Sequence, residues 1–214
     1  MSDKQNAISP AAILEAATAL VRRLGEGKTN MVDIGKALGV SHAALYRFFP
    51  SKAAVMDAIV QEAMDDEEEL ASTWLDADGS AAERLMGMIL DLHHRKRARF
   101  TGDREIHDLY RRILVERQDM IIAYAQRMTL LIQKLIAQGV DRGEWQVSDV
   151  SQAASVVRDA VTVFVHPQLV AQSIEGNVSV EDQLRATVLT LARAFEAGVD
   201  YNRIRSMGST QVRG

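Results

Sequence analysis

At 214 residues without one cysteine, the chain can bury a core unaided and has no thiol for a disulfide, thiolate metal site or nucleophile. A 47% hydrophobic and 25% charged composition is that of a globular protein, and charges interrupt every apolar stretch before the roughly 20 residues of a membrane span. The net charge of −4 is uneven: residues 1–52 hold seven Lys/Arg against four Asp/Glu, the remainder eighteen against twenty-five, as expected of a small anion-contacting head on an acidic body.

Residues 1–7 are polar and lack the apolar core of a signal peptide, so the expected compartment is the cytoplasm. Apolar residues recur at helical spacing and strand-like alternation is nearly absent. The expected fold is all-α. Ser9 caps a first helix with Pro10 at its first position, and Ile13, Ala17, Leu20 and Leu24 form its apolar stripe before Gly25 and Gly27. Asn30 with Asp33 marks a second start, with Ile34 and Leu38 inward and Gly39 as stop. A third helix is expected over 41–48, and Ser51 caps a fourth that reaches residue 74.

Asp76, Asp78 and Gly79 form the first linker. Longer helices are expected over 80–99, 104–115, 117–138, 149–172 and 180–201, with a disordered tail from 206. The domains expected are a helix-turn-helix head over 1–55, a helical body over 56–205 and the tail over 206–214.

Residues 28–52, KTNMVDIGKALGVSHAALYRFFPSK, carry the chemistry. Two short amphipathic helices meet at Gly39-Val40-Ser41, where Gly39 tolerates a left-handed turn, Val40 plugs the space between the helices and Ser41 caps the second. That helix exposes Ser41, His42, Ala43, Tyr46 and Arg47 while burying Leu45 and Phe49, a surface that fits a major groove. Lys52, opening the next helix, would meet a phosphate by charge and helix dipole together.

Over Asp33-Ile34, Gly39-Val40-Ser41, Ala44-Leu45-Tyr46, Phe49 and Ser51-Lys52, with the first helix at the right distance upstream, the chain resembles the TetR family of bacterial transcription regulators. It departs at Gly35, where the family commonly has alanine, and at Asn30, where threonine is frequent. The resemblance implies phosphate contacts from Thr29, Asn30, Tyr46 and Lys52, and base-edge contacts from His42, Ala43 and Arg47. It also implies a homodimer, a helical body that binds a small effector, and a repressor released from its operator DNA by that effector.

Candidate effector-lining residues break the apolar pattern of the central helices: Met86, Ile89, Leu92 and His93 on one, Tyr110, Tyr124 and Met128 on two more, Arg158, Thr162 and Phe164 on a fourth. In the resembling family the last two helices form a four-helix interface, which here would use Ala154, Val157, Val161 and Val165 with Leu184, Val188, Leu191 and Ala192. The runs Asp65–Glu69 and Arg95–Arg99 read as solvated helix surface. His93, His94, His107 and His166 show no H-x-x-x-H or E-x-x-H spacing, and Asp103 with His107 supplies only a pair, so no metal or other cofactor is expected. Two other readings exist: a helical ligand-binding protein or enzyme with an incidental helix-turn-helix, and a regulator that needs no ligand. No phosphate loop, triad spacing or paired-carboxylate motif supports an enzyme.

Overall fold

The computed structural model describes residues 8–203, so the expected tail from 206 lies outside the described residues. Ten α-helices account for most of them, with no strand among the described residues and one isolated parallel bridge, Val147 to Val199. The chain divides into two compact units. The first contains 8–65 with Arg99–Met120, and the second Asp66–Ala98 with 121–203.

In the first unit, α1 (Pro10–Leu24) begins as its sequence dictates: the Ser9 side chain accepts from Ala12 N–H at 3.2 Å, and Pro10 sits where a missing N–H costs nothing. Its buried stripe is Ile13, Ala17, Leu20 and Val21, while Leu24 turns outward. A 3₁₀ turn, Glu26–Lys28, leads to α2 (Met31–Leu38), where the Asn30 side chain accepts from Asp33 N–H at 2.9 Å. Gly39 ends α2 in the left-handed region, φ +68°, which a side chain would strain.

The third helix is shorter than the sequence suggests: α3 spans only His42–Leu45, because Phe48 and Phe49 N–H both bond to the Leu45 carbonyl and close the chain into a turn. Ser41 occupies its N-cap position, yet the hydroxyl makes no capping bond. Next, α4 (Lys52–Ser72) buries Val55, Met56, Ile59 and Val60 in this unit. Returning to the first unit, the end of α5 (Ala81–Gly102) and α6 (Arg104–Glu116) add Phe100, Ile106, Leu109, Tyr110 and Ile113 to its buried residues.

The second unit is built from the rest of α4 and α5, from α7 (Gln118–Asp141), α8 (Val150–Val165), α9 (Pro167–Glu175) and α10 (Glu181–Ala197). Its core runs through Leu85, Met88, Ile89, Leu131, Ile132, Leu135, Val157, Leu184 and Val188. The single helix expected over 149–172 is two. Pro167 supplies no N–H and drives His166 into an extended conformation, ψ 125°, so the helix ends at Val165 and restarts.

One close approach in this unit depends on a missing side chain. A Cβ built on Gly87 would fall inside the Trp74 ring, whose indole N–H donates to Asp91 at 2.9 Å. In Gly87→Ala the ring must swing off α5 and lose that bond. Overpacking and the lost hydrogen bond outweigh a helix-propensity gain of about 1 kcal/mol, so a net destabilisation of about 1–3 kcal/mol is expected. Urea unfolding followed by tryptophan fluorescence checks it; unchanged stability with an unchanged native spectrum would refute it.

Candidate functional site

The exposed surface of α2, α3 and the start of α4 is the first candidate site. A methyl group at Gly35 would lie 2.9 Å from the Val40 carbonyl oxygen, so α2 and the turn meet where the sequence leaves room. Leu45 is fully buried, and that anchor turns His42, Ala43, Tyr46 and Arg47 outward together with Ser41 and Asn30. His42 meets Tyr46 edge-on, with ring centroids 6.2 Å apart. Asn30, Lys36, His42, Tyr46 and Lys52 line an open groove of about 700 Å³.

Two of the expected phosphate contacts are placed differently from the rest. Thr29 is 1% exposed and its hydroxyl donates to the Gly25 carbonyl at 3.0 Å, so it serves the turn rather than the surface. Lys52 is half-buried and its ammonium donates to the Glu26 carbonyl at 2.6 Å. Its sequence position at a helix start showed the charge, but nothing in it showed the tether.

The expected effector-lining residues divide. Met86, Ile89, His93, Tyr124, Met128 and Phe164 pack in or against the second unit's core. Arg158 and Thr162 do not join them: Arg158 pairs with the adjacent Asp159 at 2.7 Å, and exposed Thr162 donates to the Arg158 carbonyl. Tyr110 belongs to the first unit, where Arg99 lies over its ring at 5.0 Å. Of the histidines weighed for metal, His107 packs edge-on against Phe100, and Asp103 accepts from Arg22 at 2.7 Å.

His93 is the most informative of these side chains. It lines a cleft of about 280 Å³ with Arg97, Ser173, Asn177, Ser179 and Glu181. Its Nδ1 lies 2.7 Å from the Phe164 carbonyl oxygen, which can only accept. The proton is therefore on Nδ1, leaving Nε2 with a lone pair. Burial lowers the pKa of His93, which keeps the ring neutral in spite of that hydrogen bond. The far side of the cleft, the end of α9 and the loop over 176–180, was missed by sequence reasoning because Gly176 and Asn177 interrupt the helical spacing there.

The two charge runs are not simply solvated. Glu67 is fully buried and pairs with Lys96, itself 3% exposed, while the Tyr124 hydroxyl donates to the same Glu67 oxygen at 2.7 Å. Spacing could have revealed both: Glu67 is three residues after Met64 and four before Ala71, and Lys96 is four from Leu92 and from Phe100. His166 has a buried Nδ1 without a partner; burial and the nearby Lys96 charge both push its pKa down.

The expected dimer residues are mostly spent within the monomer. Val157, Val161, Leu184 and Val188 are 0–2% exposed in the second unit's core, and Val165 and Leu191 are half-buried against it. They leave little for a second copy to touch. Exposed apolar side chains on the same two helices are Val163 and Leu189. The spacing was read correctly as one apolar face per helix, but a bundle needs that face for itself.

At the cleft's edge, hydrogen bonds from His94 and Arg185 hold the Glu181 carboxyl down to about 2, against an ordinary 4.5. Because the folded pKa is the lower, the stabilisation is complete above the ordinary value and is lost as pH falls towards 2. The group is partly exposed, so screening keeps the effect small. Wild type should lose more stability than Glu181→Gln between about pH 5 and pH 2. Urea unfolding across that range checks this, and parallel curves would refute it.

Residues 13–59 match the tetR family of bacterial regulatory proteins, and residues 81–188 match the Tetracyclin repressor-like C-terminal domain. Comparison with curated proteins returned no match. Among solved structures, a TetR/AcrR family regulator from Thermobifida fusca is 23% identical with a TM-score of 0.62, covering 87% of this chain and 97% of its own. The fatty acid degradation regulator FadR from Bacillus halodurans is 16% identical, TM-score 0.59, covering 86% and 94%. FadR from Bacillus subtilis, solved in complex with stearoyl-CoA, is 16% identical, TM-score 0.54, covering 89% and 100%. At these identities the solved structures speak for the fold, while the two domain matches, one of which alone spans half the chain, identify the family. The chain belongs to the TetR family of DNA-binding transcriptional regulators.

Proposed function

We propose that this protein is a cytoplasmic homodimeric repressor that binds operator DNA through the α2–α3 surface and leaves it when a small molecule binds the second unit. The observation that carries the reading is the outward set Ser41, His42, Ala43, Tyr46 and Arg47, held over a fully buried Leu45. Arg47 and His42 can donate to base edges, the Ala43 methyl can contact a thymine methyl, and Tyr46, Asn30 and Lys52 can meet phosphates. Thr29 contributes by shaping the turn. The first unit is the DNA-binding part and the second the effector and dimer part.

The effector site is supported by the cleft at His93, whose Nε2 offers a hydrogen-bond acceptor, and by the ligand-bound state of the Bacillus subtilis FadR neighbour. Release follows from linkage: an effector that binds better to the state unable to span two major grooves weakens DNA binding by the same factor. Tenfold release needs about 1.4 kcal/mol of differential binding.

Selection of duplexes from a random pool with the full-length protein tests the DNA reading. A near-palindrome is expected, with half-sites about 34–36 Å apart or somewhat more. Tyr46→Ala with Lys52→Ala should weaken binding to every duplex roughly ten- to a hundredfold and reduce the salt dependence, and Arg47→Ala should relax base preference. Unchanged affinity in the Tyr46/Lys52 double variant would refute the surface.

A second copy is best met by the outer surface of α8 and α10, where exposed Val163 and Leu189 stand among Thr162, Ala186, Thr190 and Ala194. Small neighbours let helices approach closely. Val163→Glu with Leu189→Glu should therefore give monomers of native helicity by sedimentation and circular dichroism. Val161→Glu should instead cost folding itself, because the charge enters a core position 2% exposed. A doubly charged surface variant that remains dimeric would place the interface elsewhere.

A further inference from the structure

Lys52 does not hang free over the α2–α3 surface. The Glu26 oxygen that receives its ammonium at 2.6 Å also accepts from Thr29 N–H at 3.1 Å. Glu26 opens the turn between α1 and α2, and its carboxylate is gripped at two points by Arg112 of α6. Nε donates to Oε2 at 2.8 Å and Nη2 to Oε1 at 2.7 Å. Arg112 also pairs with Glu116 one helical turn on, and α6 is tied to the end of α1 by Arg22 and Asp103. The Arg112 and Glu26 side chains are only 33% and 27% exposed, so solvent competes weakly for this planar two-bond pairing.

We infer that Arg112 is a positioning residue for DNA binding: its grip on Glu26 fixes the carbonyl that aims the Lys52 ammonium at a phosphate. The inference rests on the DNA-contact reading of the α2–α3 surface. An ammonium has three donors, so one bond to a carbonyl leaves two for a phosphate. The long Lys52 stem is then ordered before DNA arrives, and binding is spared that ordering cost. Within the turn one hydrogen bond, from Thr29 N–H, holds that carbonyl, and without the two-point grip on the Glu26 side chain the turn can shift and carry the carbonyl away from Lys52. Arg112 itself contacts no DNA in this scheme.

The test uses the full-length chain and a duplex recovered by selection from a random pool. Arg112→Met keeps the stem and removes the fork; Glu26→Gln keeps the shape and removes the charge. Each should weaken binding about three- to tenfold. Each should also move the salt slope part of the way towards that of Lys52→Met, which loses a whole phosphate contact worth about 0.9. In a Lys52→Met background neither change should matter further, and Arg112→Lys should recover part of the loss. If Arg112→Met loses native helicity, Glu26→Gln carries the same cycle. Equal weakening in both backgrounds, or an unaltered salt slope, overturns the inference. If Lys52→Met weakens binding and the Arg112 and Glu26 variants do not, the positioning role alone falls; if Lys52→Met has no effect, the DNA surface falls with it.

Discussion

A helix of four residues has no stability of its own, since nucleation fixes several residues for one hydrogen bond. The surface proposed to read DNA nevertheless stands on such a helix, His42–Leu45. It persists because Leu45 is driven fully into the first unit's core, while Gly39 reverses the chain with a left-handed turn. Burial of a leucine is worth about 1.5–3 kcal/mol, comparable with the cost of ordering one or two residues. The outward direction of His42, Tyr46 and Arg47 depends on that anchored side chain together with the Gly39 turn, because so short a helix is oriented by what it buries.

Around this anchor the turn between α1 and α2 concentrates polar work. Gly25 accepts from the Thr29 hydroxyl, Glu26 accepts from Thr29 and Lys52, and Arg112 holds the Glu26 carboxylate. A mobile loop would leave these groups to water. Here they are paired with one another, so the Lys52 ammonium proposed to meet a phosphate is ordered by the protein. The second unit manages polarity differently: it buries a complete Glu67–Lys96 pair with the Tyr124 hydroxyl rather than excluding charge from its core. Removing either partner alone would leave an uncompensated charge, so the pair is a constraint on sequence more than a source of stability.

Local signals survived into the structure nearly unchanged. Ser9 with Pro10, Asn30 with Asp33, Gly39 and the stripe of α1 act within a few residues of themselves, and short-range hydrogen bonds and steric limits do not depend on the rest of the chain. The all-α class, the helix-turn-helix and the family resemblance were legible for that reason. Pro167 was a local signal too, but apolar residues four apart continue across it through Val161, Val165 and Leu169, which masked the break.

Tertiary structure decided what periodicity leaves open: what each apolar or charged face meets. Val157, Val161, Leu184 and Val188 looked like an interface and became core, while Glu67 and Lys96 looked like surface and became a buried pair. Lys52 found the Glu26 carbonyl 26 residues away, and Glu26 in turn found Arg112 of α6. A helical repeat specifies that one side is to be covered and never by what. The covering is chosen by contacts between residues far apart in the chain, and no window of sequence contains both partners.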